Sequence, residues 1–389
     1  MRIKARVRRL ALTVCALAAP AALVAGCTAP ASNKSVSGGT LTLYAATPTG
    51  GAGGQQARDV LAAEQLAFQQ SGGKIGNFKL RLITVSAAKA SDNARTVIQD
   101  DDAIAYVGEV IPGLSADSLG ITNAQDILQV TPTDTAAALT QVSAAVPRSP
   151  DRYYESLSSN HRTFARVVPT TVAEARAQVQ QMQAMNVSSL YIAADGTQYG
   201  AALAQSLRSD AASASITVRP SVSGADAVFY AGNTAAAAAR VFNSTASSSP
   251  TTKLFAPSAL ASSAFATQLS PSVRNVYVSA PGFMANDMPA TAKTQFVQPF
   301  VSAYHRTPAP QAIFGYEAMS AVLAVLRQAG NSAVDRGTVV KDFFALKNRN
   351  SVVGTYSINA NGDTSIAPFV FSRVVAGKLV PFKSVQAQG

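Results

Sequence analysis

Apolar strand-like runs alternate with periodic helical stretches in two consecutive series along this chain, and that alternation constrains its fold more than any other feature. The run Leu41-Thr42-Leu43-Tyr44-Ala45-Ala46 is followed by a glycine-rich turn, an amphipathic stretch over 57–70 and a second strand at 79–85. Further strands are predicted at 103–107, 127–130 and near 163–167, with a helix over 115–125. The second series reads helix 172–185, strand 189–193, helix 201–211, strand 227–230, helix 234–243 and strand 253–256. Such alternation predicts α/β units with parallel strands and right-handed crossovers. After a strand at 276–279, helices are predicted around 291–304 and over 314–329, where Ala318, Ala321, Val322, Val325 and Leu326 share one face. The chain closes with strand-like runs at 354–358 and 369–375, joined through the turn signal Asn361-Gly362-Asp363.

The first 27 residues carry a different message. Arg2, Lys4, Arg6, Arg8 and Arg9 precede an uncharged apolar stretch over 10–24, shorter than the ~20 residues needed to span a bilayer but suited to the core of a signal peptide. The stretch ends in Val24-Ala25-Gly26-Cys27, which resembles the bacterial lipobox, whose cysteine is lipidated and becomes the mature N-terminus. The expectation is a signal peptide over 1–26, a lipid anchor on Cys27, and a location at the cell membrane on its extracytoplasmic face. Residues 27–39, small and polar, have the composition of a flexible linker.

The 363 residues from Cys27 onward exceed the ~250–300 at which a single core stops growing, so two domains are expected. The leader carries five of the 32 basic residues. The remainder holds 27 against 21 acidic residues, and the formal net charge falls from +11 to +6. With no basic run outside the leader and no tryptophan, nucleic-acid binding is not expected. Cys15 and Cys27 are the only cysteines, so the mature chain has neither a disulfide nor a thiol nucleophile. His161 and His305 have no partners at metal-ligand spacing, so no metal or other cofactor is expected. Gly51-x-Gly53 opens a dinucleotide-binding pattern, but position 56 is Gln, and no Gly-Lys-Ser/Thr follows to make a P-loop.

Taken in order, several short pieces resemble the branched-chain amino-acid-binding family of type I periplasmic binding proteins, the lipoprotein receptors of ABC importers. They are the turn Pro48-Thr49-Gly50, the strand end at 105–108, Gln129-Val130-Thr131-Pro132, the run Phe164-Ala165-Arg166-Val167-Val168-Pro169, Gln198-Tyr199-Gly200, Gly315-Tyr316-Glu317-Ala318 and the terminal Asn-Gly-Asp. The resemblance implies two Rossmann-like α/β lobes joined by three crossover segments, with a ligand cleft between them. It places lobe 1 at 40–167 plus 281–349 and lobe 2 at 168–280 plus 350–389.

The resemblance also nominates ligand-binding residues. In the segment 109–115 the family sets a hydroxyl and backbone amides against a solute carboxylate. Here Gly113 and Ser115 offer those groups, Ile111 and Pro112 supply apolar walls, and a helix starting near Ser115 would add its N-terminal dipole; Ser115 equally suits an N-cap. Thr133, Asp134 and Thr135 match a second polar segment, or cap a helix. Tyr199 matches an aromatic that packs over the ligand, the alternative being a surface tyrosine. Asn233 stands where the family often has another aromatic, and Thr47 faces the cleft by analogy. Phe314 and Tyr316 suit either ligand, hinge or core. Ser258 departs from the pattern, because amino-acid binders carry an acid there to pair with the α-ammonium. Either Asp134, Asp195 or Glu109 takes that role, or the solute is not a standard α-amino acid.

No nucleophile motif for hydrolysis is present, and no histidine pairs with a serine, so an enzyme is not expected. The reading is a monomeric solute-binding lipoprotein that takes an amino acid or related polar solute and docks on ABC permease subunits. The alternative is a sensor lipoprotein of the same fold that signals to a membrane partner.

Overall fold

The computed structural model of the chain describes residues 34–48, 54–154, 162–284 and 286–387. The leader, Cys27, the glycine run at 50–53 and His161 lie outside them.

The elements follow one another as β1 (Thr40–Ala46), α1 (Gly54–Gln70), β2 (Lys74–Ile75), β3 (Phe78–Val85), α2 (Ala90–Ile98), β4 (Ala103–Val107), α3 (Leu119–Asn123), β5 (Leu128–Thr131) and β6 (Phe164–Arg166). Next come α4 (Thr171–Ala184), β7 (Ser189–Ala194), α5 (Gln198–Ser213), β8 (Thr217–Arg219), β9 (Ala227–Ala231), α6 (Ala235–Ser248), β10 (Lys253–Ala256), α7 (Ser263–Ala266) and β11 (Val276–Pro281). The last third holds α8 (Ala290–Ala292), α9 (Gln298–Tyr304), α10 (Ala312–Ala329), α11 (Arg336–Phe344), β12 (Arg349–Ser351), β13 (Gly354–Tyr356), β14 (Pro368–Val375) and β15 (Lys378–Gln386).

Two large sheets result, one per lobe. The first has the order β2-β3-β1-β4-β5-β6 and the second β15-β14-β11-β10-β9-β7-β8. Parallel pairing dominates both, with antiparallel partners at β2, β14 and β15. The central strands β1, β4, β5, β9, β10 and β11 are buried on both sides because helices cover both faces. Leu41, Leu43, Val107 and Val130 point into a core shared with α10 and α11, while Tyr44, Ala46 and Tyr106 point to the opposite side with Val97 of α2. In the second sheet Leu190, Ile192 and Phe229 meet α4 and α5, and Val228, Tyr230 and Leu254 meet Phe242 and Phe265.

Four local expectations are corrected. The segment 34–39 is no free linker: Val36 is buried in the first core, its N–H donates to Val334 O at 2.8 Å, and the Gly39 carbonyl accepts from Lys79 N. The helix expected over 115–125 is a four-residue 3-10 turn at Leu114–Asp117 followed by α3, so Ser115 lies in a turn with no helix dipole behind it. The runs 354–358 and 369–375 do not form one hairpin. β13 pairs with β12, and β14 pairs with β15, a strand whose central Pro381 sits opposite a register shift at the sheet edge. Finally, Val352, Val353, Tyr356 and Ile358 pack in the first core, so the last crossing falls between Ile358 and β14 rather than at 350.

The Asn-Gly-Asp segment docks on β6. The Gly362 carbonyl accepts from Arg166 N at 2.8 Å. At φ +89° a Cβ on Gly362 would lie 2.4 Å from Phe164 O, so glycine alone fits there. Asp363 then meets the buried Arg166, with Nε 2.9 Å from Oδ1.

Candidate functional site

In open α/β sheets, loops at the carboxyl ends of strands gather where the strand order reverses. In the first sheet that reversal lies between β1 and β4, and in the second between β7 and β9. The segments that follow β4, β5, β7 and β9 build the space between the lobes.

The first lobe contributes a tightly bonded pair of loops. Thr131 Oγ1 donates to Glu109 O, and Thr133 Oγ1 donates to Val110 O, both at 2.6 Å, tying the loop after β5 to the loop after β4. The Asp134 carboxylate accepts from Gly113 N at 2.7 Å, Ser115 N at 2.9 Å and Ala136 N at 3.0 Å. Arg166 braces the same loop from below by donating to the carbonyls of Asp134 and Ala136.

The second lobe contributes the start of α4 and the ends of β7, β9 and β10. Thr197 caps α5, its Oγ1 accepting from Gly200 N. Asp195 accepts from Thr197 N, Thr197 Oγ1 and Asn233 N, which braces the two loops at the strand reversal. Glu174, buried on α4, accepts from Ser258 N at 2.5 Å, Ser258 Oγ at 2.9 Å and Ser279 Oγ at 2.6 Å.

Between these halves lies a cavity of about 360 Å³, within the ~300–1,000 Å³ range of small-molecule sites. Gly113, Ala116, Asp117, Ala136, Ala138, Leu139 and Tyr153 line it from the first lobe's loops, and Thr171, Thr197, Gln198, Tyr199, Ala202 and Asn233 from the other side. The sides touch around it. Asn233 Nδ2 donates to Pro112 O at 3.3 Å, Tyr153 Oη donates to Gln198 Oε1 at 2.7 Å, and Ala137 N donates to Thr171 Oγ1 at 3.1 Å.

Of the nominated residues, Gly113, Tyr199 and Asn233 line this cavity, and Pro112 O meets Asn233 beside it. Ser115, Thr133, Asp134, Thr135 and Ser258 lie buried behind the wall. Thr47 and Ile111 border a second, smaller pocket of about 100 Å³ together with Glu109. Phe314 and Tyr316 are buried in the first core. Asp195 is engaged in bracing loops, and Asp134 is engaged by amides. The buried acid beside position 258 is instead Glu174, 84 residues earlier in the chain. Asp117, Tyr153, Thr171 and Gln198 also line the cavity without having been nominated. Thr171 and Glu174 could have been found from their place on the helix that opens the second lobe; Tyr153 sits in a loop with no motif around it.

Burial sets the electrostatics. Glu109 is pushed up from 4.5 to about 7 by desolvation, against the lowering effect of the Tyr106 hydroxyl, which donates to its Oε1. Desolvation also raises Glu174, opposed by the Ser279 and Ser258 donors. It raises the Tyr199 phenol well above the usual tyrosine range, and the nearby Glu174 charge adds to that. Tyr199 Oη lies near the Thr135 and Ser258 hydroxyls but makes no aligned hydrogen bond, and Thr135 Oγ1 makes none either. Among the described residues no group of three or more His, Cys, Asp or Glu is placed to hold a metal.

A cavity walled by the strand ends of two α/β lobes suits capture of a solute, and the sequence model of the periplasmic binding proteins matches residues 43–378. The chain belongs to the periplasmic binding protein family. This periplasmic binding protein has no significant match among curated proteins. Solved structures resemble it closely in fold and distantly in sequence. The leucine-binding protein LivK of Thermotoga maritima superposes with a TM-score of 0.74 at 17% identity, covering 89% of this chain and 99% of that one. The branched-chain amino acid transporter substrate-binding protein LivJ of Streptococcus pneumoniae, in complex with isoleucine, gives 0.69 at 13% identity over 89% and 99%. A solute-binding protein of an ABC transporter from R. palustris, in complex with benzoate, gives 0.67 at 16% identity over 89% and 96%. Members of this family bind solutes rather than transform them. Among the described residues no helix of this periplasmic binding protein is long and apolar enough to cross a membrane.

Proposed function

We propose that this chain is the extracytoplasmic solute-binding lipoprotein of an ABC importer, anchored through Cys27, which holds a small polar solute between its lobes and presents the closed form to permease subunits. The observation that carries this reading is the cavity of about 360 Å³, lined from one side by Gly113 and Tyr153 and from the other by Tyr199 and Asn233. A solute bridging both sides would hold the lobes together, and hinge closure would change the outer surface that a permease meets. Lobe 1 comprises the first sheet with α10 and α11, and lobe 2 the second sheet with its helices. The leader and Cys27 supply the anchor, and the neighbours' transport roles support import over signalling.

A thermal-shift screen of the purified protein against amino acids, amides, amines, aromatic acids and sugars tests the binding reading. A solute at 100 times its dissociation constant adds ~2.7 kcal/mol to the folded state. Stabilisation by at least one polar solute, abolished by crowding the cavity with Asn233→Trp, is expected; a flat response across the panel would sink the reading. Cys27→Ala should move the protein from the membrane fraction to the soluble one, and retention in membranes would overturn the anchor.

A further inference from the structure

Asp134 occupies a place built for an anion. Three backbone N–H groups from two separate strand ends converge on its carboxylate: Gly113 N at 2.7 Å and Ser115 N at 2.9 Å from the loop after β4, and Ala136 N at 3.0 Å from its own loop after β5. The two bonds from the neighbouring loop span 21 and 19 residues, so they are tertiary contacts rather than a local turn. The side chain is completely buried. Gly113 and Ala136, two of the three residues that supply these N–H groups, line the interlobe cavity, so the nest lies directly behind the wall that a solute would meet.

What remains around the cavity is poor in groups that welcome an anion. Its ionisable lining residues are Asp117, Tyr153 and Tyr199, with no lysine or arginine among them. The adjacent Arg166 is committed to two carbonyls and to Asp363. Two buried oxygens beside the cavity, Tyr199 Oη and Thr135 Oγ1, have no hydrogen-bond partner, and the Glu174 carboxylate lies behind them under Ser258. A buried anion needs several donors, and the three converging amides are already taken by Asp134, which leaves the two hydroxyls to a solute.

We propose that Asp134 is a built-in carboxylate that fills the anion nest of the cleft, so that this protein takes an amine, amide or other hydrogen-bond donor lacking a free carboxylate and excludes amino acids and aromatic acids. This rests on the solute-binding reading above. It makes Asp134 a specificity-determining residue that never touches the solute's reactive end: it blocks the amides that a solute carboxylate would need. Discrimination by an occupied site works through the cost of leaving either carboxylate without its donors.

The test compares the wild-type protein with Asp134→Ala by thermal shift, using acetate, leucine, leucinamide, benzoate and benzamide. In the wild type, acetate, leucine and benzoate are expected to give no saturable shift. In D134A the vacated amides should accept an added carboxylate, so acetate and leucine should stabilise it with affinity at least about tenfold above that for the wild type. Saturable binding of leucine or benzoate by the wild type, or failure of D134A to gain carboxylate binding, overturns the proposal. If D134A does not fold unaided, its refolding yield in acetate against chloride decides: a yield that rises with acetate supports the nest, and equal yields overturn it. The acetate response of D134A is independent of the natural solute. A wild type that binds nothing in the wider panel would therefore sink the transport reading while leaving the nest readable.

Discussion

Glu174 accepts hydrogen bonds from both the backbone N–H and the hydroxyl of Ser258, at 2.5 and 2.9 Å across 84 residues of sequence. This pairing joins the first helix of the second lobe to the end of β10, and Ser279 on β11 adds a third donor at 2.6 Å. The serine that looks like a loss of charge at position 258 is therefore the outer member of an acid-serine pair. The acid is present at this depth, carried by a helix rather than by position 258.

Glu174→Ala would leave the Ser258 N–H, the Ser258 hydroxyl and the Ser279 hydroxyl buried without an acceptor. Each such group costs about 1–3 kcal/mol, and with partial relaxation a total loss of about 2–4 kcal/mol is expected. Ser258→Ala removes one donor and leaves the carboxylate two others, so about 1 kcal/mol is expected. Urea denaturation of both variants checks the order; a larger loss for Ser258→Ala would contradict this assignment.

Tyr199→Phe should move stability and binding in opposite directions. Its hydroxyl is buried without a partner, so removing it leaves stability unchanged or raises it by up to about 1 kcal/mol. A solute that uses that oxygen loses one hydrogen bond, which corresponds to an affinity drop of roughly three- to tenfold. Melting curves with and without solute separate the two effects. A variant that melts lower and binds unchanged would place the hydroxyl outside the site.

Gly113 stands at φ +91°, where a Cβ would lie 3.3 Å from Tyr199 Cβ and 3.4 Å from Asn233 Nδ2. Gly113→Ala therefore strains the backbone by about 1–2 kcal/mol and pushes the loop after β4 away from the second lobe. Solute affinity should fall more than the melting temperature does, because the closed arrangement is the one that is wedged. Titration calorimetry on the variant checks this, and unchanged affinity would mean that the lobes do not close on this glycine.

Asp363→Ala would strand Arg166, which is fully buried and has Asp363 as its counter-charge. Breaking a buried ion pair from one side costs ~3–5 kcal/mol. Arg166 also holds the carbonyls of Asp134 and Ala136, so the cleft loop should loosen as well. Hydrogen exchange over 133–140 should accelerate in this variant. Loss of global stability with protection of that loop intact would argue against its being braced from Arg166.

The alternation of strands and helices was legible because the middle of both sheets is buried on two faces, which writes the central strands as continuous apolar runs. β15 was not legible: Lys378, Pro381 and Lys383 mark it as an exposed edge, and its register breaks opposite Pro381. The Asn-Gly-Asp motif was legible as a turn but not as a docking element, since its partner, Arg166, lies almost 200 residues earlier. In the site, Gly113, Tyr199 and Asn233 follow strand ends and could be placed from order alone. The engagement of Asp134 by the amides of another loop, and of Ser258 by Glu174, depends on which strands are neighbours in the sheet. That adjacency is a tertiary fact that no local pattern encodes.

The pH dependence of stability is the remaining expectation, and it turns on Glu109. Burial raises this carboxyl from 4.5 to about 7 in the folded chain. The folded state therefore keeps a proton that the unfolded chain releases above about pH 4.5. The stability contributed by that proton is fully present below pH 4.5, declines as pH rises, and is lost by about pH 7, an effect of at most ~3 kcal/mol. Desolvation also raises the buried Glu174 and Glu317, which slope the same way. Glu109→Gln retains a side chain of similar shape without the titration, so its stability curve between pH 4.5 and 7 should be flatter than that of the wild type. Urea midpoints measured across that range decide the matter, and parallel curves for the two proteins would show that Glu109 ionises in the fold much as it does in water.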